Sequence, residues 1–166
     1  MNITAIIIAC LAMATILGVA KMVINRGVQM QALDNGKAVK GIVLPLRLQA
    51  YERMALFLER IEPNQLVMRI HNTGLNVAQE QNLLLTSIRS EFEHNLSQQI
   101  YISNDVWKHI CNAKEDIIDI INAVAGQYEP TADSLEFAQA LLAAAAEKPV
   151  VDKAMLILKT DVQKLY

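Results

Sequence analysis

The amino terminus sets the strongest constraint on this chain. From Ile3 to Ala20 no residue is charged, and only Thr4 and Thr15 are polar. Lys21 interrupts the run, and Met22, Val23 and Ile24 extend it. A helix over residues 3–24 would be roughly 33 Å long at about 1.5 Å per residue, which matches a hydrocarbon core of about 30 Å. The run therefore predicts a single transmembrane helix within residues 1–25, with membrane lipid as one partner. Lys21 lies near its end, where an apolar stem can carry the amine to the headgroups. A cleaved signal peptide needs basic residues ahead of its apolar core. None precedes Lys21, so the anchor reading is preferred. Ile7-Ile8-Ala9-Cys10 has the look of a lipoprotein box, but it comes early and also lacks basic residues before it. Cys10 is read as an apolar packing residue.

Charge gives a direction. Lys21, Arg26, Lys37, Lys40, Arg47 and Arg53 outnumber Asp34 and Glu52 in residues 1–53, and all the basic residues follow the apolar run. The positive-inside rule then predicts a bacterial inner-membrane protein with its remainder in the cytoplasm. Residues 26–44 read as a basic juxtamembrane linker carrying Lys37 and Lys40. Near an anionic surface, each of Lys21, Arg26, Lys37 and Lys40 would add about 1 kcal/mol. Residues 54–166 hold nine basic and fifteen acidic residues, so the body of the chain is acidic. Phosphate contacts need clustered cations, and a nucleic-acid partner is not expected. Ala5 and Ala9, like Ala14 and Gly18, are four apart, a spacing that lets helices approach closely and self-associate.

The rest reads as all-α. Hydrophobic residues at 53% and charged residues at 19% exclude a disordered chain. Two cysteines exclude a disulfide-stapled mini-fold. Asp34-Asn35-Gly36 signals a turn. Pro45 opens a helix whose core stripe is Leu48, Tyr51, Ala55, Leu58 and Ile61, widened by Met54 and Phe57. Pro63 ends it, and Asn64 caps a short segment over residues 65–71. A long helix over residues 76–101 buries Val77, Leu84, Leu85, Ile88, Phe92 and Leu96. The next, over residues 105–125, is capped by Ser103 or Asn104 and stopped by Gly126. Ser134–Glu147 follows with its alanine block, and Pro149 starts the last helix. The predicted architecture is a single transmembrane helix followed by a cytoplasmic bundle (45–166) of about four long helices and one short one.

Two stretches carry a resemblance: LPLRLQAYERMALFLERIEP (residues 44–63) and EFEHNLSQQIYIS (residues 91–103) with Trp107 and Ala113-Lys114-Glu115. They resemble an uncharacterised bacterial family of short, N-terminally anchored helical proteins, over roughly residues 44–125. The resemblance implies a shared helical architecture. The family has no assigned activity, so it implies no catalytic or binding residue.

Ser87, Glu91, His94 and Gln98 fall on one helical stripe, with Asn95 and Gln99 beside it. Leu83–Tyr101 holds Arg89 as its one Lys or Arg. Amides, an imidazole and a carboxylate are expensive to bury unpaired. The stripe reads as a buried polar seam against the first helix, a partner-facing surface, or a solvated face poor in lysine. Glu91 and His94 share a face and form a weak metal-ligand pair, because bundle metal sites combine two such motifs with further glutamates. Glu52-Arg53 and Glu59-Arg60 repeat one heptad apart. Such pairs can set helix pairing through charge, although an exposed, weakly contributing pair is the preferred reading. Arg47 or Arg53 could cross to Glu91 or Glu93. Trp107 and Cys111 read as core.

No phosphate-cradling loop, zinc spacing or dinucleotide fingerprint is present. The sequence predicts no cofactor, no metal and no enzymatic role. The expected function is a membrane-anchored interaction or scaffold module with an unknown protein partner. The alternatives are a homo-oligomeric assembly protein, or a metal- or small-molecule-binding bundle using Glu91 and His94.

Overall fold

A computed structural model describes residues 3–165, and their side chains apart from those of residues 4–12 and 27–40. The chain is helical: α1 (Ile3–Ile61), α2 (Pro63–Ile70), α3 (Val77–Asn95), a 3-10 segment (Leu96–Ile100), α4 (Asn104–Ala125), α5 (Ser134–Glu147), α6 (Val150–Val162) and a closing 3-10 turn (Gln163–Leu165). The one β-type pairing among the described residues is an isolated bridge between Asn76 and Asp133. The all-α expectation stands on these elements. Residues Met1–Leu44 and Pro45–Tyr166 form two compact units.

The transmembrane expectation for residues 1–25 is corrected. No helix among the described residues is long and apolar enough to cross a membrane. Among the described side chains the run extends from Met13 to Ile24, is broken by Thr15 and Lys21, and closes at Asn25 and Arg26. A span needs about 20 consecutive, predominantly apolar residues. The single-pass inner-membrane location, the cytoplasmic placement of residues 45–166 and the juxtamembrane role of Lys21, Arg26, Lys37 and Lys40 lose their basis with it. Lys21 and Arg26 are exposed. The side chains of Lys37, Lys40, Ala5, Ala9 and Cys10 lie outside the described residues.

Two boundaries also change. The backbone is helical through Asp34-Asn35-Gly36 and through residues 26–44, where the sequence predicts a turn and a linker. Short-range turn signals are weak priors against a helix that continues on both sides. Pro45 sits inside α1 rather than at a helix start. A proline there removes the bond its own nitrogen would have made to the Gly41 carbonyl, and the helix carries that loss.

Within residues 45–165 the sequence pattern explains the packing. Tyr51, Met54, Phe57, Leu58 and Ile61 of α1 are buried, as their three- and four-residue spacing predicts. Phe57 meets Phe92 at 5.7 Å between ring centroids, and Phe92 stacks on Trp107 at 5.4 Å. Lys114 Nζ lies 4.5 Å from the centre of the Phe92 ring. Together these tie α1, α3 and α4 into one core. α4 also packs against α5 and α6, through faces that include Ile117, Ile121, Phe137, Leu141, Ala154 and Leu158.

Local chemistry sets the helix ends. Glu62, not Asn64, caps α2: its carboxylate accepts from the Gln65 N–H at 3.0 Å, with Pro63 in the first turn. Asn76 and Gln79 form a reciprocal capping box at the start of α3. Ser103 caps α4, and Asp133 caps α5. Gly74, at φ +104°, supplies the left-handed residue of the turn before α3. α3 ends six residues earlier than the predicted Tyr101. Asn95 Nδ2 donates to the Glu91 carbonyl at 2.8 Å, and the chain tightens to 3-10. The change of pitch carries Leu96, predicted as core, to 43% exposure.

Candidate interaction surface

Because α1 buries one stripe after Pro45, its opposite stripe faces outward. Leu46, Gln49, Glu52, Arg53, Leu56, Glu59 and Arg60 are all exposed. The boundary is sharp: Leu56 is 48% exposed and its neighbour Phe57 is 1% exposed. Positions 52, 53, 56, 59 and 60 recur at three and four, so they form one continuous face. Glu52, Arg53 and Glu59 form no ion pair among the described residues. Beside this face lies a shallow cleft of about 570 Å³ lined by Leu56, Glu59, Arg60, Glu62, Gln65 and Arg69.

The far edge of that face is held by arginines. Arg60 Nη1 donates to both carboxylate oxygens of Glu91 at 2.9 Å. Arg69 Nη2 donates to the Arg60 carbonyl at 3.3 Å and to Ser87 Oγ at 3.2 Å. The cation that crosses to Glu91 is thus Arg60 rather than Arg47 or Arg53. Arg47 Nε donates to the Tyr101 carbonyl at 3.0 Å.

The polar stripe of α3 consequently divides. Ser87 and Glu91 join the arginine-held seam. His94 is exposed, and Gln98 donates to its neighbour Ser97 Oγ at 3.3 Å. Glu91 and His94 are not brought together with further ligands, and no group of three or more His, Cys, Asp or Glu among the described residues could hold a metal ion. Burial pushes the Cys111 thiol up, opposed by the charge of Lys114 and aided by that of Glu115. The thiol is thereby kept protonated and a poor nucleophile.

Two polar clusters escape sequence reasoning. In the first, Tyr51 OH donates to Asp161 Oδ2 at 2.6 Å and Ser103 Oγ donates to the same oxygen at 2.8 Å. Lys164 Nζ lies 3.1 Å from Asp161 Oδ1. Ser103 also accepts from the Val106 N–H, so one hydroxyl caps α4 and binds the C-terminal helix. Burial raises the Asp161 carboxyl, but hydrogen bonds from Tyr51, Ser103 and Lys164 and the Lys164 charge outweigh it, and the net shift is downward. Burial and the bond to Asp161 push the Tyr51 phenol up, against smaller opposing contributions from Ser103 and Arg47.

A carboxyl with a depressed pKa in the fold stabilises above its unfolded value, and this is lost as pH falls through the folded value. A phenol with a raised pKa stabilises below its unfolded value and loses this as pH rises through the folded one. The cluster therefore supports the fold across the neutral range. Melting temperature should fall on acidification below the ordinary carboxyl value of 3.8. In Asp161→Asn that fraction of the acid dependence should be missing; an unchanged acid limb in the variant would contradict the assignment.

In the second cluster, Glu80 is fully buried, with Oε2 at 2.9 Å from His71 Nδ1 and Oε1 without a partner. It sits at the start of α3. There the Val77 and Ala78 N–H groups donate to the Ala132 and Pro130 carbonyls, and the Ser134 N–H donates to Leu75. The pair ties the end of α2 to the start of α3, and the backbone bonds fasten the turn before α3 to the connector between α4 and α5.

A model of a family of unknown function (DUF7935) matches residues 1–165. No curated protein matches the chain. No solved structure matches it.

Proposed function

The chain belongs to this family of unknown function, and we propose that it works as a helical protein-interaction module whose contact surface is the outer face of α1 with the adjoining cleft. The observation that carries this reading is the exposed Leu56, set among Glu52, Arg53 and Glu59, charges with no ion-pair partner among the described residues. An interface joins an apolar anchor to a charged rim in this way. The arginine-held seam to α3 keeps the face rigid, which lowers the entropy lost on binding. A second support lies in residues 1–44. Met13, Ile16, Leu17, Val19, Val23 and Ile24 are all more than half exposed, and apolar surface of this extent marks contact with another body.

A photoreactive residue placed at position 56 of the full chain in cells tests the reading. Position 156 on α6 serves as the comparison, since Leu156 is also exposed, at 66%. Protein adducts should form at 56 and be scarce at 156. Equal yields at both positions, or none at 56, would contradict it.

A further inference from the structure

We infer that the partner on this face is a second copy of the chain, with the two α1 helices antiparallel across a two-fold axis at Leu56. This rests on the contact-surface reading of α1 and adds the identity of what covers it.

The charges of the face are antisymmetric about Leu56. Glu52 lies four residues before it and Arg60 four after; Arg53 lies three before and Glu59 three after. Residues three and four away on either side share the face of Leu56. When two identical helices cross antiparallel about that residue, each position before it on one helix meets the equivalent position after it on the other. Arg53 then opposes Glu59 of the other copy, and Glu52 opposes Arg60. A two-fold axis makes each pairing twice. A parallel pair would instead set Glu52 against Glu52 and Arg53 against Arg53, and like charges in register repel.

The side chains are available for these contacts. Glu52, Arg53 and Glu59 are exposed and have no ion-pair partner among the described residues. Arg60 keeps 55% of its side chain exposed and bonds Glu91 through Nη1 alone, which leaves Nε and Nη2 without a hydrogen-bond partner among the described residues. Leu56 supplies the apolar centre, and Leu56 of each copy meets its equivalent on the axis.

Photo-crosslinking from position 56 of the full chain, read by the mass of the adduct, tests the inference. The expected product has twice the mass of the chain. Arg53→Glu should lower its yield about tenfold by placing like charges opposite each other. Glu59→Arg alone should do the same, and Arg53→Glu combined with Glu59→Arg should restore the yield. All three variants alter exposed positions and should melt with the parent chain. A self-adduct that ignores Arg53→Glu, or is not restored by the double exchange, overturns the antiparallel dimer. Adducts at 56 with a different protein and none with the chain itself overturn the second copy but leave the contact surface standing. No adduct at 56 removes both.

Discussion

Replacing Phe57 with alanine is expected to lower the stability of the 45–165 bundle by about 4 kcal/mol, whereas Leu56→Arg should change it by less than about 0.5 kcal/mol. The two residues are adjacent, yet Phe57 is 1% exposed and Leu56 is 48% exposed. Phe57 begins the ring series that runs through Phe92 to Trp107. Its removal deletes a buried aromatic and leaves a cavity that close-packed neighbours refill only in part. An arginine at 56 replaces an apolar group already half in solvent. Urea unfolding of both variants reads the contrast directly. Comparable losses in the two would mean that α1 is rotated about its axis relative to this description, and the outer face would be misassigned.

His71→Ala is expected to cost about 3 kcal/mol, more than truncating an imidazole that is 23% exposed would cost by itself. The reason lies in what stays behind. Glu80 is fully buried, its Oε1 has no partner, and its Oε2 depends on His71 Nδ1 at 2.9 Å. Without the imidazole, a desolvated carboxylate is left with no partner at either oxygen. Exchanging both residues, as in His71→Leu with Glu80→Met, should recover most of the loss, because apolar groups of similar shape leave nothing unsatisfied. A loss below about 1 kcal/mol in His71→Ala, or a double variant no better than the single, would contradict this account of the pair. The measurement is the urea midpoint of the three chains.

The sequence marks some of this structure well. The buried faces of α1 and α4 are legible because a helical period of apolar residues has one physical use in a bundle, and Tyr51, Phe57, Ile110 and Ile117 fall where the period puts them. The cap at Ser103 is legible because its hydroxyl satisfies a backbone N–H locally, and α4 ends at Gly126 as the sequence predicts. The apolar amino terminus reads as a span because residues 3–20 carry no charge, whereas no helix among the described residues is apolar over a sufficient length. A regular pitch continued past Asn95 puts Leu96 in the core, whereas α3 ends there with a side-chain bond from Asn95 to the Glu91 carbonyl.

The polar clusters are illegible for a different reason. An acidic residue in the first turn of a helix, as Glu80 is, ordinarily faces water and favours the helix dipole. Its burial and its pairing with His71 are tertiary, and arise where the 130–134 segment bonds the backbone of Leu75, Val77 and Ala78. Arg60 and Glu91 lie far apart in sequence, and their meeting depends on the antiparallel register of α1 and α3, which charge patterning alone does not set. The same holds for Tyr51 and Asp161. The Glu-Arg repeat was visible as a pattern, but its antisymmetry about Leu56 acquires meaning only once Leu56 is known to face outward.

Carboxyl footprinting of the full chain at its cellular concentration probes the α1 surface most directly. Glu52 and Glu59 are exposed in the single chain, as are Glu129 and Glu136 on the far connector and α5. If α1 is a contact surface, Glu52 and Glu59 should be labelled several-fold more slowly than Glu129 and Glu136, and the protection should vanish in Leu56→Arg. Equal labelling of all four carboxylates in the unaltered chain would show that nothing covers α1, and the interaction reading would fail.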